Sequence, residues 1–169
     1  MTKSLVLVLG VSALALASCG KKPPAELPPA PVQSETMPLP PPSVSQGPTP
    51  GSQADFLSKV AADRVFFATD ESDIDAASRA TLDSQARWLA QYPAVQITVE
   101  GHCDERGTRE YNLALGDRRA TAAKNYLAAA GVAVSRIKTI SYGKERPDAV
   151  GSDETAWAKN RRAVTITVQ

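Results

Sequence analysis

The segment Gly101-His102-Cys103-Asp104-Glu105-Arg106-Gly107-Thr108 gathers an imidazole, a thiol and two carboxylates within eight residues. Those are the parts of a nucleophile with its base, and a His beside a Cys is the beginning of a metal site. The spacing argues against both. Val95, Ile97 and Val99 alternate with Gln96, Thr98 and Glu100, the period of a strand with one buried face. Successive strand residues point to opposite faces, so His102 and Cys103 do not readily meet as a dyad. With one histidine in the chain and, besides Cys19, one cysteine, ligands for a metal are too few. No catalysis, no metal and no cofactor are expected here.

A second candidate group is Arg119. A helix over about 110–130, closed by Gly131, carries an apolar stripe through Leu115, Ala122, Ala123, Tyr126 and Ala130. Arg119 falls near the centre of that stripe, while Arg118 lies about 100° round the helix. A buried guanidinium needs a partner. Asp104, at the strand's end, is a candidate: either a structural carboxylate for Arg119, or a second charge that converges with it on a ligand.

The other elements follow from pattern. Arg64–Ala68 reads as a short strand running into the loop Thr69-Asp70-Glu71-Ser72-Asp73. Asp75 caps a helix over 76–91, with Leu82, Ala86 and Leu89 at helical spacing and Pro93 beyond its end. Ile137–Tyr142 reads as a strand, Asp153–Asn160 as a short helix, and Val164, Ile166 and Val168 alternating with Thr165 and Thr167 as a last strand. The order βαβαβαβ predicts a two-layer α/β (α+β) sandwich, its sheet covered on one face by the two longer helices. Whether all strands run parallel is open.

The folded domain is expected over residues 55–169, which leaves the N-terminus to be explained. Residues 1–18 combine Lys3, the apolar run Leu5–Val11 and a small-residue end, the layout of a signal peptide too short to span a bilayer. Leu16-Ala17-Ser18-Cys19-Gly20 resembles a bacterial lipobox, in which the Cys is lipidated and becomes the first mature residue. Each buried methylene adds about 0.8 kcal/mol, so the chains of a mature lipoprotein hold it firmly to a membrane. By resemblance to lipoprotein sorting, Gly20 rather than Asp after Cys19 favours the outer membrane, with the domain facing the periplasm. Residues 20–54 hold eleven of the thirteen prolines. That composition reads as a tether, with an extended reach on the order of 100 Å. With 19 Lys+Arg against 18 Asp+Glu, no overall field draws the chain to nucleic acid.

The run Val99–Thr108, with Glu110-Tyr111-Asn112, Leu115-Gly116-Asp117-Arg118-Arg119-Ala120, Ser141-Tyr142-Gly143-Lys144-Glu145, Pro147 and Asn160-Arg161-Arg162-Ala163-Val164, is very similar to the OmpA-like domain. The resemblance covers nearly all of residues 64–169 and extends to the family's wall-binding lipoproteins, which share the lipobox and tether. It implies non-covalent binding of peptidoglycan through the diaminopimelate of its peptide stems. The family's Asp at the end of the second strand matches Asp104, and its helical Arg matches Arg119. An Asp in the loop after the first strand matches Asp70, and Thr108 and Leu115 border the family's pocket. The chemistry suits such a ligand: a guanidinium fork clasps a carboxylate, and Asp carboxylates face an ammonium. Implied partners are peptidoglycan and the Tol proteins, TolB above all, in an assembly that joins envelope layers during cell division. The alternative is a wall-binding lipoprotein of the family acting outside the Tol system.

One departure, one junction motif and two rivals bear on this. Cys103 stands where the family usually has a small non-thiol residue, so the thiol is either buried and inert or free beside the pocket. Asn160, Arg161 and Arg162 are read as fixing a helix-to-strand junction. A flagellar-motor stator subunit would carry an uncleaved transmembrane helix in place of the lipobox, and a porin of the family would need eight amphipathic strands before the domain. Cys19→Ser should abolish acylation and release the chain from membranes. Labelling with a palmitate analogue, followed by membrane fractionation, checks this; a variant still acylated and anchored would remove the lipobox reading.

Overall fold

The computed structural model describes residues 47–168. Cys19, the expected signal peptide over 1–18 and the expected tether up to residue 46 lie outside the described residues. The elements are α1 (Gln53–Lys59), β1 (Arg64–Phe66), α2 (Ala76–Gln91), β2 (Gln96–His102), α3 (Arg109–Ala129), a 3-10 turn (Val134–Arg136), β3 (Ile137–Gly143), α4 (Glu154–Asn160) and β4 (Arg162–Val168). From β1 onward the order is the expected βαβαβαβ.

Side chains set the helix starts. Ser52, Asp75, Thr108 and Asp153 each accept a hydrogen bond from the backbone N–H three residues on, at 3.2, 2.7, 3.2 and 2.9 Å, which satisfies an otherwise orphaned donor. Gly131, at φ 98°, takes the left-handed turn that stops α3. Helix α1 shortens the expected tether by two residues at its C-terminal end and adds an element ahead of β1. Its anchor is Asp55, whose carboxylate accepts from the indole of Trp88 at 3.1 Å and from the amide of Gly51 at 3.1 Å, and pairs with Lys59 at 3.0 Å. Burial alone would raise the Asp55 pKa; these partners outweigh it and hold it at about 2.

The sheet order is β1-β4-β2-β3, with β4 antiparallel to both neighbours and β2 parallel to β3. One face carries Val65, Ile97, Val99, Ile137 and Ala163 into a core closed by Leu82, Trp88 and Leu89 of α2 and Ala120, Ala123 and Leu127 of α3, with Phe56 from α1. The stripe of α3 is thus centred on Leu127 and Ala123, while Tyr126 and Ala122 are half-buried and Ala130 is exposed.

Strand β4 departs from its apparent pattern. Opposite Ile97 and Val99 stand Thr167 and Thr165, so the threonines face the helices and Val164, Ile166 and Val168 face away. The Thr165 hydroxyl donates to the side-chain carbonyl of Gln85 at 2.8 Å, and that of Thr167 to Gln53 at 2.9 Å. Two buried hydroxyls are acceptable there because each has a partner. No helix among the described residues is long and apolar enough to cross a membrane.

The closest approach between layers is glycine on glycine. A Cβ at Gly101 of β2 would overlap the backbone carbonyl of Gly116 in α3, and one at Gly116 would strike the Ser141 hydroxyl. Gly101→Ala should therefore push α3 off the sheet and cost about 3 kcal/mol, the upper end for overpacking. Urea denaturation checks it, with Gly131→Ala, where only backbone conformation is strained, as a milder comparison.

Candidate functional site

The groups singled out from sequence meet where β2 ends and α3 begins. Asp104 follows β2 with only 7% of its surface exposed. Its Oδ2 accepts from Nη2 of Arg106 at 2.6 Å and lies 3.4 Å from Nη1 of Arg161. Its Oδ1 takes the amide of Arg106 at 3.2 Å, a local turn that folds Arg106 back over it. Burial pushes the Asp104 pKa up, but the bonds from Arg106 and then Arg161 win, and it lies below the usual carboxylate value.

Arg119 is fully buried. Its Nε donates to the carbonyl of Glu71 at 2.8 Å, Nη1 to that of His102 at 2.9 Å, and Nη2 to that of Ala68 at 3.0 Å. Its guanidinium carbon lies 5.2 Å from the centre of the Phe67 ring. The structural-carboxylate alternative therefore fails in its detail: three main-chain carbonyls satisfy Arg119, and Asp104 pairs with Arg106 and Arg161. Arg118 is exposed and sits 6.0 Å from the Tyr111 ring, as the helical angle requires.

A hollow of about 220 Å³ opens between the two loops, lined by Thr69, Asp70, Asp104, Arg106, Gly107 and Tyr111. Asp70 is exposed and held at φ 59°, a left-handed conformation that an Asp tolerates at some cost; its Oδ1 accepts from the Tyr111 hydroxyl at 3.4 Å. Asp104 and Asp70 thus share one hollow; Arg119 is not among its walls but is bonded to the carbonyls of Ala68, Glu71 and His102 in the flanking loops. Thr108 caps α3 just beyond Gly107, and Leu115 is buried one turn before Arg119; neither is among the hollow's walls.

Arg106, Tyr111, Thr69 and Gly107 were not anticipated as walls. Arg106 carried a usable signal, since an Asp two residues before an Arg at a turn can fold the cation back onto itself. Its guanidinium also stacks 4.2 Å above the Trp157 ring. Arg161 does secure its junction, donating from Nε to the carbonyl of Phe67 at 3.0 Å, and it also bridges Asp104 to Glu154 at 2.6 Å. Asn160 is wholly structural, with its side chain closing the 148–149 loop through three hydrogen bonds.

Cys103 is buried, its thiol donating to the carbonyl of Asn112 at 3.3 Å, and burial pushes its pKa up. His102 packs on the opposite side of the strand against Tyr142, ring centres 5.5 Å apart.

Residues 66–161 match the model of the OmpA family. The chain belongs to the OmpA family. Within it, the chain is 61% identical over 118 residues to a peptidoglycan-associated lipoprotein of Rhizobium meliloti, a match covering 70% of this chain and 66%, just under two thirds, of that relative. A peptidoglycan-associated lipoprotein of Mesorhizobium japonicum is 50% identical over 165 residues, covering 98% of this chain and 92% of the relative. The crystal structure of the peptidoglycan-associated lipoprotein from Burkholderia pseudomallei superposes with a TM-score of 0.62 at 40% identity, over 67% of this chain and 93% of that one. The mixed four-stranded sheet with its helices is thus the OmpA-family fold.

Arg119→Lys should destabilise the domain by about 3 kcal/mol, because an ammonium on one stem cannot reach three divergent carbonyls and strands buried acceptors. Arg118→Ala should stay within about 0.5 kcal/mol of the parent. Paired urea titrations compare them.

Proposed function

We propose that this chain is a lipid-anchored outer-membrane protein that holds peptidoglycan without cleaving it. Asp104, Asp70 and Arg119 form the site for the diaminopimelate end of an uncrosslinked peptide stem. The observation that carries the reading is the hollow itself, in which two carboxylates, one of them almost buried, share one opening between loops that the buried Arg119 holds by their carbonyls. Such a ligand end carries an ammonium and a carboxylate. The ammonium suits Asp104 and Asp70, displacing Arg106 from part of its contact. Arg119 spends three of its five N–H donors on carbonyls and is fully buried behind the hollow's walls, so its two remaining donors reach a ligand carboxylate only if the 68–71 loop shifts. The names of the Rhizobium and Mesorhizobium relatives support association with peptidoglycan and a lipid anchor, which on this chain falls to Cys19.

The finer part of the proposal is a place in the Tol system, with TolB as periplasmic partner during cell division. The reading rests on the family resemblance, and capture of purified TolB by the chain tests it separately from wall binding; wall binding without TolB capture would favour action outside that system.

Sedimentation with purified cell wall decides the site. Asp104→Ala should weaken retention about tenfold or more, since a hydrogen bond to a charged group is worth about 1.5–3 kcal/mol. Asp70→Gly removes a carboxylate while relieving the φ 59° strain, so it should weaken binding without lowering stability. Arg118→Ala should change retention less than about twofold, and free diaminopimelate should compete with the wall for the parent. Unchanged retention by Asp104→Ala, or equal losses for Arg118→Ala, would remove the site assignment.

A further inference from the structure

His102 is the chain's single histidine, 2% exposed, and among the described residues neither ring nitrogen has a well-formed hydrogen bond, the Arg146 backbone and the Glu100 carboxylate being its nearest polar neighbours. Buried polar atoms seldom stand unpaired, and each exception asks for an explanation. A third unpaired buried atom belongs to the same neighbourhood. His102 follows Gly101, which pairs with Ala163, so it stands opposite Arg162, whose Nε is also unpartnered.

Charged groups face this imidazole from every element around it. Glu100, on the same face of β2, brings a carboxylate to 3.5 Å from Nε2 without forming a hydrogen bond. Tyr142 of β3 stacks on one side, with the Arg146 guanidinium 3.7 Å above the centre of the Tyr142 ring. Arg162 of β4 donates to the carbonyl of Arg146 at 3.2 Å, and Asp148 is held 3.1 Å from Arg64 of β1. Residues 144–151 thus form a roof over the end of the open sheet face, pinned at 148–149 by Asn160. Burial first, then the positive charge of Arg162, drive the imidazole pKa down to about 4; a backbone contact with Arg146 opposes them by more than the Arg146 charge adds, and Asp148 opposes them less.

The roof is wired to the candidate wall site. Lys144 donates to the carbonyls of Glu105 at 3.0 Å and Gly107 at 2.7 Å, on either side of Arg106 in the hollow. The carbonyl of His102 itself holds Arg119.

We propose that His102 makes the roof 144–151 an acid-released latch on the hollow: a proton taken up between Arg162 and Arg146 lifts the roof, and Lys144 lets go of the 105–107 loop. What the latch controls rests on the wall-binding reading. A histidine whose folded pKa is depressed stabilises the closed form fully above the free value of 6.5, and that stabilisation is lost as pH falls from 6.5 towards 4. At pH 5 the closed form is weakened about 20-fold relative to pH 7. Burial raises the Asp104 pKa and the Arg106 and Arg161 contacts lower it, with the net below its usual value.

The full chain carrying Cys19→Ser tests this, because Cys103 is then its only thiol and lines the space under the roof with Lys144 and Pro147. Three quantities are read from pH 7.5 to 4: the imidazole NMR shift, which a single histidine makes unambiguous; the rate of Cys103 with a dithiodipyridine, relative to free cysteine at the same pH; and retention on purified wall, relative to the same protein at pH 7.5. The imidazole should titrate well below 6.5, and Cys103 should become roughly 20-fold more reactive between pH 7 and pH 5 as wall retention falls. His102→Gln and His102→Phe should both flatten the two acid responses. An imidazole titrating at or above 6.5, as an ion pair with Glu100 would produce, overturns the latch without need of a variant. So do Cys103 rates that do not change with acid, or variants that respond as the parent does. A chain whose Cys103 opens in acid but which never retains wall at any pH overturns the wall-binding reading and leaves the latch standing.

Discussion

A guanidinium without exposure to water is among the more costly groups a small domain can bury, and Arg119 is buried completely. What makes it tolerable is a set of main-chain carbonyls from two loops, at 68, 71 and 102, that no packing of apolar side chains would bring together. The bonds work in both directions. They satisfy the cation, and they fix the loop after β1 and the end of β2 against α3, which are the walls of the hollow. Carbonyl dipoles carry no net charge, so the positive charge of Arg119 persists behind the hollow's walls. The charged walls of the hollow are Asp70, Asp104 and Arg106.

Much of this was legible in the sequence, and the failures have physical causes. The period of two placed Ile97 and Val99 correctly, and the cap at Asp75 and the proline at 93 bracketed α2. In β4 the same period misleads. Alternation divides a strand into two faces but does not say which one is inward when the polar set is threonine. Hydroxyls that find Gln85 and Gln53 can be buried, and Val164, Ile166 and Val168 are then left to the open face. Helix α1, at seven residues, is too short to show periodicity. It exists because Asp55 finds the indole of Trp88, 33 residues away.

For the site, helical angle alone separated Arg119 from Arg118, and exposure bears that out. The partners of Arg119 were beyond reach, because a carbonyl acceptor leaves no mark in the sequence: any residue at 68 or 71 presents one. Arg106 and Tyr111 were missed for a different reason. They enter the hollow through loop conformation, one by folding back on Asp104 and the other by standing in the first turn of α3.

The reach of Arg119 depends in turn on the glycine contact between Gly101 and Gly116. Helix α3 descends against β2, so Arg119, one turn beyond Gly116, starts about 4.5 Å further from the mouth of the hollow. Helical side chains point back towards the N-terminus and cover the preceding turn. The guanidinium therefore climbs past the level of Gly116 to meet the carbonyl of His102, the residue after Gly101. Had either glycine a side chain, helix and strand would separate, and a bond of 2.9 Å has little slack to follow. The two glycines serve the site from outside it: by bringing two backbones together, they let a single arginine span from helix to strand end and both sides of a loop.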